Sequence, residues 1–125
     1  MQESLSEDLL TLIRTIRREL EDADRARIDD NEGRARVCAR RAAGWAVSIT
    51  RSLAEEREIE SNAYDMLQWL AQQSDKPDAV RSAATRLTTH VSHNHTLPFP
   101  EDPLEDARMI CEALLGKGWT EMGEG

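Results

Sequence analysis

At 125 residues the chain has the size of one domain and can bury a proper core without disulfide or metal staples. Apolar residues make up 39% and charged residues 32%, with only Tyr64, Phe99 and three tryptophans as aromatics; this argues against a sheet sandwich and for helices packed by Leu, Ile, Val and Ala. A net charge of −8 argues against a general nucleic-acid coat, because phosphates must be met by positive charge.

The first helix reads from about Ser4. Ser4 and Glu7 have capping-box spacing, and Leu5, Leu9, Leu12, Ile16 and Leu20 then recur at helical steps as one apolar stripe. Turn-forming residues from Ile28 to Gly33 close this unit.

A second amphipathic helix is predicted over residues 33–56. Cys38, Ala42, Trp45, Ile49 and Leu53 form its stripe, with Val37 and Val47 beside it, and Trp45 reads as a core anchor. Ala35, Ala39, Ala43 and Gly44 are small, so a neighbouring helix can approach closely. Between Gly33 and Ala54 stand five arginines and no acid. They read first as a solvated face, or as one paired with acids elsewhere. Residues 58–125 supply such partners, with twelve Asp/Glu against five Lys/Arg. A second reading makes Arg34, Arg36, Arg40 and Arg41 a binding face for an acidic partner.

A break near residues 58–61 leads to a third helix over 61–73, with Met66, Leu67 and Leu70 inward and Tyr64 and Trp69 edging a groove or interface. Pro77 and Asp78 suit the start of a fourth helix that buries Val80, Ala83, Ala84, Leu87 and Val91. Pro98 and Pro100 forbid its continuation. Asp102, Pro103 and Glu105 then start a fifth helix as N-cap, first residue and third residue, and Gly116 and Gly118 end it. The expected architecture is all-α, a four- to five-helix up-and-down bundle over residues 1–118, with a flexible tail over 119–125.

Three histidines, His90, His93 and His95, fall within six residues. Structural zinc requires a fuller ligand set than they mark, so neither metal nor cofactor is expected. Arg86, His90 and His93 share helical spacing, and an arginine beside a neutral imidazole could bind a phosphodiester while the imidazole acts as general base. The alternative is that this stripe is the wet side of the fourth helix. Cys38 and Cys111 both fall inside predicted helices and read as core thiols. The acidic opening residues and the lack of a long apolar run predict no signal peptide and no membrane span, hence a cytoplasmic protein with reduced thiols.

The stretch from Ala35 to Val47, with its alternation of small and polar residues, resembles the long helix of HEPN domains (higher eukaryotes and prokaryotes nucleotide-binding). The segment from Asp78 to Leu115, with its Pro-Phe-Pro turn before a capped last helix, is similar to that family's end. The resemblance implies a four- or five-helix bundle, often a homodimer, whose members cut RNA or bind nucleotides. It also implies a catalytic arginine followed after four to six residues by histidine, with a polar residue next to the arginine. Arg86-Leu-Thr-Thr-His-Val-Ser-His93 has that spacing but places apolar Leu87 after the arginine. The expectation is therefore a HEPN-like domain that dimerises and binds a nucleotide, RNA or protein partner without catalysis. A metal-independent ribonuclease using Arg86 with His93 or His90, and a purely structural adaptor, are the alternatives.

Overall fold

The computed structural model describes residues 2–91 and 97–122, with side chains described from residue 8 onward. The described residues form five α-helices: α1 (Gln2–Ile28), α2 (Glu32–Glu55), α3 (Ala63–Ala71), α4 (Asp78–Thr88) and α5 (Pro103–Leu115). No strand occurs among the described residues. Each helix packs on the next in sequence, and α2 also packs on α5, which makes α2 the central element of the bundle.

Local chemistry explains most boundaries. Asn31 caps α2 by accepting from the Arg34 amide at 3.1 Å, after Asp30 adopts a left-handed conformation at φ 57°. Gly33 therefore lies inside α2 rather than in the turn. Asn62 caps α3 through the Asp65 amide, and Asp102 caps α5 through the Leu104 amide, each at 3.1 Å. Pro103 follows at the first position of α5, where a missing N–H costs nothing. α1 already includes Gln2, so residues 4–7 lie within it instead of capping it.

The core forms where the apolar stripes meet. Ile13, Ile16, Ile49, Leu67, Leu87 and Ile110 are among its largest enclosed side chains, and Trp45 packs partly buried against the core. Ala35, Ala39 and Ala43 have no exposed surface within the single chain, so the small-residue face of α2 serves its own bundle. Gly44 shows why size matters there. A Cβ on Gly44 would stand 2.5 Å from the Ala63 Cβ, where the chain returns along α2. That return is tied down by two hydrogen bonds of 2.6 Å, Glu60 N–H to Ser48 Oγ and Ser52 Oγ to the Arg57 carbonyl.

Three sequence expectations are corrected. Val37 and Leu53 were assigned to the α2 stripe but are 39% and 65% exposed, because the packed helices leave that edge of α2 open. α4 ends at Thr88 and its cap, Thr89, is extended, so Val91 lies outside the helix. The tail expected to be loose from residue 119 begins instead with a 3-10 turn, Trp119–Glu121, whose Trp119 is 5% exposed and packs into the core. No helix is long and apolar enough to cross a membrane among the described residues.

Candidate anion-binding cleft

The end of α4 is set by two arginines from another helix. Four carbonyls at a helix C-terminus lack partners within the helix. Arg36, only 6% exposed, donates through Nη2 to the Arg86 and Thr89 carbonyls at 2.8 and 2.6 Å, and through Nη1 to the Leu87 carbonyl at 3.4 Å. Arg40 donates through Nε to the same Leu87 carbonyl at 3.0 Å. The partial negative charge of the helix terminus offsets about half of one guanidinium charge.

Beside this junction lies a cleft of about 400 Å³, whose lining includes Arg36, Val37, Arg40, Tyr64, His90 and Leu97. Among the described residues no carboxylate pairs with Arg36 or Arg40. Burial, then the neighbouring Arg40 charge, pushes the Arg36 guanidinium below the ordinary arginine range. Burial does the same to Arg40. Asp106 acts on Arg36 only at a distance, so neither arginine has a direct counterion among the described residues. Among the described residues, Arg40 Nη1 and Nη2 have no protein partner, and neither does the buried Arg36 Nε.

The remaining lining sorts into donors, acceptors and apolar wall. Tyr64 Oη accepts from Gln68 Nε2 at 2.9 Å, which leaves its own O–H free to donate. The Thr88 and Thr89 hydroxyls are spent on carbonyls within α4. Val37, Val91 and Leu97 supply apolar surface. Glu32, at the rim, shares Arg27 with Asp102 through contacts of 2.8–3.1 Å, so two carboxylates and one guanidinium leave that corner negative.

The predicted site residues separate on this frame. Arg36 and Arg40 converge on the cleft and His90 lines it. Arg34 is exposed beside Asp22, Arg25 and Asp29 near the α1–α2 turn, and Arg41 points toward Glu19 Oε2 at 3.8 Å. Arg86 leaves the cleft entirely. Its Nε and Nη2 form a bidentate pair with buried Asp106, both bonds at 2.8 Å, and Glu101 stands 3.9 Å from Nη1. Its hydrogen bonds to the Asp106 carboxylate hold the Arg86 guanidinium above its ordinary range. Because α4 stops at Thr88, the helical spacing that joined Arg86 to His90 does not hold. His93 lies outside the described residues.

Two side chains escaped the sequence reading. Asp106 read only as a nominal metal ligand and as an acid in the first turn of α5, where one is usual, and nothing pointed to Arg86 as its partner. Tyr64 was placed at a groove edge, but nothing local marked that edge as facing the α2 arginines. Both cysteines are buried, and burial pushes the Cys111 thiol up to about 12, which makes it inert at neutral pH.

No family model, curated protein or solved structure matches the chain.

Proposed function

We propose that this chain is a HEPN-like helical module that binds an anionic partner, a nucleotide, RNA or acidic protein segment, in the cleft between α2 and the end of α4. The observation that carries this reading is the pair Arg36 and Arg40, two guanidiniums beside an open cleft with no directly paired carboxylate among the described residues. A buried charge without a counterion is costly, and a bound anion relieves that cost.

Binding is favoured over RNA cleavage because Arg86, the only arginine with the required spacing to histidine, is occupied by Asp106. The homodimer belongs to this proposal as well. Its support is the resemblance, since the small-residue face that suggested it is filled within one chain.

Fluorescence anisotropy with labelled nucleotide, RNA and acidic peptide tests the reading, with Arg40→Ala as control. Saturable binding that the variant loses supports it; no binding of any probe at low salt refutes it. Light scattering across concentrations checks the dimer, which a constant monomer mass contradicts.

A further inference from the structure

The cleft carries enough detail to name the class of anion, given that it binds anions at all. We infer that it holds a single phosphate monoester on a compact apolar body, and not the backbone of a nucleic acid. Three observations lead there.

The first is the donor set. Arg40 offers Nη1 and Nη2, and Tyr64 offers its O–H, while Arg36 stands behind with its charge partly offset by the α4 terminus. With the α4 terminus counted, the two guanidiniums leave roughly one and a half positive charges at the junction itself, and the Glu32–Arg27–Asp102 corner at the rim subtracts from that. A phosphate monoester carries about −1.5 to −2 at neutral pH, whereas an internal phosphodiester carries one charge and lacks the third terminal oxygen. The three terminal oxygens of the monoester match the three donor atoms, Arg40 Nη1 and Nη2 and Tyr64 Oη.

The second is the lack of a track among the described residues. A polyanion needs basic groups spaced along its path. Arg27, Arg51, Arg57, Arg81, Arg86 and Arg108 are each within 4 Å of a carboxylate. The Glu32–Arg27–Asp102 corner adds a negative rim where an extended strand would have to leave. The third is size and lining. A space of about 400 Å³ suits a small molecule, and Val37, Val91 and Leu97 offer its non-polar part a surface.

Calorimetry on the full chain tests this with four probes: phenyl phosphate, inorganic phosphate, benzoate, and RNA oligomers of several lengths with 5′-hydroxyl ends. Phenyl phosphate should bind one per chain and tighter than the phosphate ion or benzoate. Its affinity should fall with salt as for one or two ionic contacts, and Tyr64→Phe should weaken it by about tenfold, the effect of one lost hydrogen bond to a charged group. Tyr64 is 45% exposed, so this variant keeps the fold, and circular dichroism verifies that it does. RNA affinity that rises with length and falls steeply with salt overturns the inference while leaving anion binding intact. Benzoate binding as tightly as phenyl phosphate, or Tyr64→Phe binding phenyl phosphate unchanged, also overturns it. If no probe binds, the broader reading of the cleft falls with it.

Discussion

Arg86 and Arg40 are the same residue type, yet their surroundings assign them opposite work. Arg86 is consumed by a two-pronged contact with Asp106, whose side chain is 7% exposed. Removing Arg86 leaves that carboxylate enclosed without its counterion, so Arg86→Ala should cost about 2–3 kcal/mol, somewhat below the range for a fully enclosed pair because Arg86 is itself 21% exposed. Urea unfolding with an unchanged slope measures this; a loss under 0.5 kcal/mol would show that the pair is not structural. Asp102 gives a pH signature at the same scale. Its hydrogen bond from Arg27 holds its folded pKa below the ordinary carboxylate value near 4. The stabilisation is therefore complete above about pH 4 and disappears as pH falls through the lower folded value. Asp102→Asn should flatten the acid limb of a stability–pH curve in that window and leave its slope near pH 7 unchanged. An acid limb of equal steepness in both proteins would argue that the Arg27 contact does not persist in solution.

At the scale of elements, the helices follow from local signals and their junctions do not. The stripes of α1 and α2, and the Asp-Pro start of α5, lie within a few residues of what they determine, so they are legible in the sequence. The end of α4 is different. Arg36 and Arg40 reach its last carbonyls from about fifty positions away, and nothing near Thr88 announces that tie. The same holds for Trp119, buried where its turn packs on α1 and α5 in a stretch that composition alone reads as a tail. Gly44 shows the reverse case, a small residue whose role was legible but whose neighbour was not. Alanine at position 44 would gain up to about 1 kcal/mol of helix propensity. It would also place a methyl 2.5 Å from Ala63, and overpacking of that kind costs about 1–3 kcal/mol. The clash should win, so Gly44→Ala should lower the thermal midpoint. A raised midpoint would mean that α3 can move away from α2 at little cost.

Across the whole molecule, charge is distributed so that acidity dominates but one cleft opposes it. The net charge of −8 keeps polyanions at a distance, and many arginines spend their charge on carboxylates of the same chain. The five-arginine run in α2 thus divides between two roles that the sequence could not separate. Arg34, Arg41 and Arg51 lie on faces shared with acidic neighbours, whereas Arg36 and Arg40 meet a helix terminus and an open cleft. The central claim is that this cleft, and not the surface at large, receives an anion. Proton–nitrogen NMR of the arginine Nε–H groups, during titration with phenyl phosphate, tests it most directly. The account predicts that the Arg40 resonance shifts and saturates at one ligand per chain while that of Arg86 stays in place. An unmoved Arg40 resonance, with small unsaturable shifts spread over the exposed arginines, would contradict it.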